Sequence, residues 1–229
     1  MGDIGFAVII LTIFVRLILF PLSKKSIRSQ IMMKKIAPLL AQVKKDYPNK
    51  EEQARKTFEL YKEHKVNPFS GCLFVIVQLP IIFALYYVFY KGLSLADTSL
   101  LYSFVVAPDF VNEMFLGVVN VNMNHNIILA LLAGVTQFIQ GHLSSPIEAK
   151  KDSDNKEDKP KTFQEQMSAS MAMNIKYVLP VFIAFIAYKL SAAVAIYWVT
   201  SNLCTIAQEW YVRRTVSTGP LKVKAVVQQ

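Results

Sequence analysis

Cysteine is nearly absent from this 229-residue chain, and both examples, Cys72 and Cys204, fall inside apolar runs. Two thiols so placed behave as small hydrophobes, and without a CxxC pair no redox or zinc motif exists. Histidine is equally scarce. His64 lies in a charged segment and His125 and His142 at the ends of apolar runs, with neither HExxH nor GxSxG to recruit them. Metalloprotease and serine-hydrolase chemistry are therefore not expected, nor is any cofactor or metal, and the chain does not read as an enzyme. Charged residues are also few, at 18%. Aspartate and glutamate are missing from the interior of every long apolar run, and Glu209 comes only at the end of the last one.

Long apolar runs are what the chain has instead. Hydrophobic residues make up 53% of it, and mean hydropathy is +0.34. The pattern predicts an all-α polytopic membrane protein with five transmembrane helices, at 1–23, 70–90, 126–142, 174–190 and 191–210. The last two spans form a tight hairpin around Lys189-Leu190-Ser191. Only Met1 to Gly5 precede the first run, so either the first helix targets the chain or an N-terminal region is missing.

The net charge of +9 is concentrated in loops. Segment 24–69 is dense in lysine and arginine, whereas loop 91–125 has Lys91 alone. The excess of positive charge in cytoplasmic loops puts the N-terminus outside and the C-terminus in the cytoplasm. This assigns the basicity to topology and gives no reason to expect specific nucleic-acid binding.

Segment 24–69 is periodic. Ile27, Ile31, Ile36, Leu39, Leu40 and Val43 recur at helical spacing, Tyr47-Pro48-Asn49 breaks the run, and Asn49 with Glu52 offers a capping box for a second helix. A cytoplasmic helical hairpin follows, its first arm kinked at Pro38. Loop 91–125 suits the outer interface, 143–173 a flexible cytoplasmic tether, and 211–229 a basic tail.

Arg16 stands in the middle of ILTIFVRLILFPL, where a guanidinium costs about 2.5–3.5 kcal/mol on insertion scales. It lies some 10 Å from the cytoplasmic boundary at helical rise. One reading has it snorkel to the headgroups; the other places it in a water-filled cavity walled by amides and hydroxyls. The second is favoured because polar residues cluster. Thr12, Arg16 and Ser23 share one helix face, and Gln78 precedes Pro80. Thr136, Gln137 and Gln140 mark the third span. Tyr197, Ser201, Thr205 and Gln208 stripe the fifth, with Trp198 and Asn202 beside them. Taken singly, each of these is ordinary glue between helices.

Four stretches carry a resemblance: GFAVIILTIFVRLILFPLSKKSIRSQIMMKKIAPLL, YKEHKVNPFSGCLFVIVQLPIIFALYYVFY, GVTQFIQGHLSSP and IYWVTSNLCTIAQEW. In content and order the chain resembles the YidC/Oxa/Alb insertase family, in particular the five-helix core of its bacterial members. The resemblance implies a membrane protein insertase and chaperone in the bacterial cytoplasmic (inner) membrane, acting through a hydrophilic groove open to cytoplasm and lipid and working independently of Sec on some substrates. It implies Arg16 as the groove arginine, Gln140 or Gln137 as the groove amide, and Trp198 with Tyr197 as the aromatic pair. Thr12, Gln78, Ser201, Asn202 and Thr205 complete the expected lining. Nascent membrane proteins and the lipid bilayer are the implied partners, with the ribosome, the signal recognition particle receptor and the Sec translocon beyond them. The chain departs from the family pattern at LSAAVAIYW, where many members have a Pro-Ser/Ala-Gly turn, and in its short basic tail and lack of a large outer domain. The competing expectation is a small-solute transporter or channel, which usually shows inverted repeats and broken spans. Of the prolines, Pro21 and Pro180 lie near span ends and only Pro80 lies well inside one.

Overall fold

A computed structural model describes residues 3–67, 70–90, 112–144 and 173–216, without the side chains of 44, 70–76, 89, 90 and 175. The expected tether 143–173 and tail 211–229 therefore fall largely outside the described residues, as does most of loop 91–125.

The described chain is helical. α1 spans Ile4–Ile18 and α2 Phe20–Asp46, with a 65° bend between them. Pro21 is the local cause: it has no N–H to offer the preceding turn, and it sits comfortably at the start of α2. α3 covers Lys50–Glu63, and the Asn49 side chain accepts from the Glu51 N–H at 3.0 Å as its cap. α2 and α3 run antiparallel, since Ser29 Oγ and the Asn67 backbone meet at their shared base. Ile27, Ile36 and Val66 are buried in this half of the molecule. α2 passes through Pro38 without ending.

α4 is Ser70–Tyr90, with Pro80 inside it. A two-stranded hairpin follows, with β1 at Met114–Phe115 and β2 at Val119–Asn120, turning through Leu116 and Gly117 at positive φ. α5 is Ile127–Ser144. A π-helical turn, Asn174–Val178, leads into α6, Leu179–Lys189, with Pro180 at its first turn. α7, Ala192–Thr215, is central and packs against α1, α2, α4, α5 and α6. Gly134 lets α5 approach α6 closely: a Cβ there would lie 2.9 Å from Ala184 Cβ.

Among the described residues, α5 alone meets the length and hydropathy of a membrane span unaided, and α1 with α2 does so as a bent pair. The buried face of α7 explains its own exclusion. Tyr197, Ser201, Asn202, Thr205 and Glu209 all turn inward, and that polarity lowers its average hydropathy. Large apolar side chains face outward instead: Ile10, Phe14 and Leu17 on α1, Ile128, Leu131 and Val135 on α5, Val181 and Phe185 on α6. Polar residues inside and apolar residues outside suit a lipid solvent.

The β-hairpin closes one end of the bundle. Ala193 and Ala192 donate backbone N–H groups to the Val121 and Met123 carbonyls, both at 2.9 Å, and Ile4 donates to Asn112. Asp3 caps α1 through Gly5 N–H and also accepts from Leu116 N–H at 3.2 Å. Phe115 packs directly over Gly5, where an added Cβ would collide with its ring.

Candidate functional site

Arg16 is 6% exposed, on the inward face of α1 beside the bend. Its Nη2 donates to Gln78 Oε1 on α4 at 3.1 Å and to Ser201 Oγ on α7. Gln78 Nε2 in turn donates to the Tyr197 hydroxyl. Four expected site residues from three helices thus form one connected group. Hydrogen bonds to a charged partner contribute about 1.5–3 kcal/mol each, enough to offset the few kcal/mol cost of the buried guanidinium. Next to it, on the side from which α2 departs, lies a small recess lined by Arg16, Ser23, Ser26 and Gln78 together with the apolar Leu19, Leu22, Val77 and Ile81. Ser23 reaches this recess from α2, because the bend carries it off the continuous α1 face assumed from its spacing.

The other expected residues divide differently. Thr12 is buried and donates to the Val8 carbonyl of its own helix at 2.6 Å. Asn202 Nδ2 donates to Thr136 Oγ1 at 3.2 Å, joining α7 to α5, and Thr205 Oγ1 returns to the Ser201 carbonyl. Gln137 and Gln140 bond to each other, and Gln140 goes on to Ser144. Trp198 is not with Arg16. It packs in an apolar cluster with Ala130, Ala133, Ile183, Ala187, Val194 and Ala195. A residue next to Tyr197 is turned by about 100° on a helix, which carries Trp198 toward α5 and α6.

At the α2 end of the bundle, Gln208, already part of the expected stripe, is joined by Glu209 and Ser144, which sequence reasoning did not place in the site. Gln208 Nε2 donates to the Arg16 carbonyl at 3.0 Å, where the helix break beyond residue 18 disturbs the ordinary backbone ladder. Glu209 is 2% exposed and pairs with Arg213 at 2.6 Å. Ser144 Oγ donates to its other oxygen at 3.0 Å. The Leu143 carbonyl, at the end of α5, accepts from Lys34 Nζ at 2.6 Å and from Arg213 Nη2 at 2.7 Å. Burial, and secondarily the Arg213 charge, hold the Lys34 amine below its ordinary pKa of 10.5. Among the described residues, no group of three or more His, Cys, Asp or Glu is placed to hold a metal ion.

A family model described as 60Kd inner membrane protein matches residues 1–219. The chain belongs to this family. The membrane protein insertase YidC of Fusobacterium nucleatum is 34% identical to it over 214 residues, 93% of this chain and 87% of that one. The same-named protein of Clostridium tetani is 34% identical over 206 residues, covering 89% and 79%. That of Stutzerimonas stutzeri is 28% identical over 96% of this 60Kd inner membrane protein family member, which spans 34% of the longer relative. In architecture the chain is similar to a crystal structure of an active YidC insertase with its first transmembrane domain resolved. That match has a TM-score of 0.53 and 24% identity over 90% of this chain and 41% of the other. None of these relatives bears the name of a solute transporter or channel, the alternative weighed from the sequence.

Proposed function

We propose that this family member is a membrane protein insertase that receives the hydrophilic segment of an incoming protein beside Arg16. The observation that carries the reading is a buried arginine held by groups from two other helices, next to a recess on the α2 side. Five spans, an outside N-terminus and a cytoplasmic α2–α3 hairpin complete the reading. The charge bias of 24–69 over 91–125 supports that orientation. So does the β-hairpin that closes the opposite end of the bundle.

The hydrophilic tail of a substrate enters from the cytoplasm along the recess, where Arg16, Gln78, Ser23 and Ser26 replace part of its hydration and Ser201 and Tyr197 hold Arg16 and Gln78 from behind. Its apolar segment meanwhile meets lipid along the outward faces of α1 and α7. Desolvating a polar chain dominates the barrier to crossing hydrocarbon, so a polar surface reaching part-way across shortens the costly distance. An acidic tail gains further from the guanidinium and, when moving outward, from the membrane potential, at about 2.3 kcal/mol per charge per 100 mV. Nascent membrane proteins and the bilayer are the partners, and the ribosome, the signal recognition particle receptor and the Sec translocon are candidates for contact with the hairpin. Gln137, Gln140, Asn202 and Thr205 form a second polar surface between α5 and α7, while Trp198 supports the wall from behind.

Reconstitution into liposomes with a single-spanning substrate bearing a short acidic tail tests the reading. The protein is expected to insert the substrate above the protein-free level and Arg16→Ala to lower the yield about tenfold. Equal insertion by both proteins would refute the role of the charge.

A further inference from the structure

Glu209 makes the chain of polar groups between α5 and α7 directional. An ionised carboxylate only accepts hydrogen bonds. Arg213 Nε and Nη2 occupy Glu209 Oε1, at 3.1 and 2.6 Å, so Oε2 faces Ser144 and takes its hydroxyl proton. With its proton committed, Ser144 Oγ meets Gln140 as an acceptor, and Gln140 must present its amide nitrogen, at 3.2 Å. Gln140 Oε1 then faces Gln137 and requires that residue's nitrogen, at 3.0 Å. Each amide commits one of its two N–H groups in the direction of Glu209. The head of the chain is Gln137 Oε1, left to accept from a donor outside the chain.

We propose that Glu209 is a positioning residue that sets this polarity, so that α5 offers an acceptor where Arg16 on α1 offers donors. The inference rests on the insertase reading and names what such a groove recognises: the backbone of an extended polypeptide, whose carbonyls suit the arginine side and whose N–H groups suit the Gln137 side. Both walls meet on α7. Ser201 bonds Arg16, and its neighbour Asn202 bonds Thr136, the residue before Gln137. Without an acceptor on α5, backbone N–H groups of a crossing segment would lack a partner on that side, and each unpaired group costs about 1–3 kcal/mol.

The test is a double-mutant cycle in proteoliposomes, using a single-spanning substrate with an uncharged polar tail so that the Arg16 charge is not the variable. In Glu209→Gln, Arg213 still claims the amide oxygen, the amide nitrogen faces Ser144, and the direction of the chain is no longer imposed. The insertion rate is expected to fall by about three- to tenfold, to recover in Glu209→Asp, and to be unaffected by Glu209→Gln in a Gln137→Leu background. Additive losses in the double variant, or wild-type insertion by Glu209→Gln, would overturn the proposal. A thermal-unfolding midpoint that falls in step with the rate in every variant would also overturn it, by assigning Glu209 to stability alone. A wild-type protein that inserts no substrate would instead refute the insertase reading, so the two failures are distinct.

Discussion

The Arg16 guanidinium donates through Nη2 to acceptors on two different helices. A lysine ammonium keeps the charge, but as a compact, strongly hydrated group on a flexible stem it is held less firmly between such partners. Arg16→Lys is therefore expected to retain part of the insertion activity and Arg16→Ala little, as read by protease protection of an inserted tail. Gln78 holds both the guanidinium and the Tyr197 hydroxyl. Gln78→Leu should destabilise the protein by about 1–3 kcal/mol by leaving both without that partner, measurable as a lower unfolding midpoint in detergent. Lys34 offers a pH readout. Its pKa in the fold lies below 10.5, so over the alkaline range between the two values the unfolded chain binds more protons and stability rises with pH on account of this group. Carbon-13 NMR of reductively methylated protein should show one lysine titrating early, and that signal should be absent in Lys34→Met. An ordinary titration at Lys34 would contradict its burial against the end of α5. The polar stripe of α7 was legible because hydroxyls and amides at spacings of three and four define a helix face. Trp198 misled because adjacency in sequence is not adjacency on that face. Glu209 looked like a span-end residue because depth was judged from hydropathy, which the inward stripe itself lowers.

At the scale of elements, two close approaches decide how the helices meet. Gly134→Leu forces α5 from α6 against Ala184 and the Pro180 carbonyl. Gly5→Val drives into Phe115, whose ring meets Phe6 edge-on at 5.6 Å. Each should cost about 1–3 kcal/mol, as overpacking does. Only Gly5→Val should also loosen the β-hairpin, detectable as faster hydrogen exchange at Leu116 and Val121. Equal exchange in both variants would contradict that closure. The helices themselves were readable from apolar period and caps. The 65° bend was not, because Pro21 near the end of an apolar run reads equally well as a span boundary. That ambiguity placed Ser23 on α1. It also hid Ser26, which the bend brings to the recess.

At the scale of the whole molecule, the polar groups named above lie inside and bulky apolar side chains outside among the described residues, and the proposed orientation rests on the loop charges. On a background lacking Cys72 and Cys204, Val118→Cys on the β-hairpin and Phe58→Cys on α3, both exposed, should react with an impermeant maleimide from opposite sides of the membrane. Labelling of both from the same side would contradict the assigned topology. The family was legible from whole stretches of sequence, whereas the pairing of Gln137 with Gln140 was not, since helical spacing does not say which partner an amide chooses. The account depends most on where a substrate's hydrophilic tail travels. A photo-reactive residue at Ile81, which lines the recess beside Arg16, measures this during insertion. Crosslinks to the tail from Ile81, and none from Trp198 within its apolar cluster, are the predicted result. Crosslinks to the tail from the outward-facing Phe83 but not from Ile81 would contradict it.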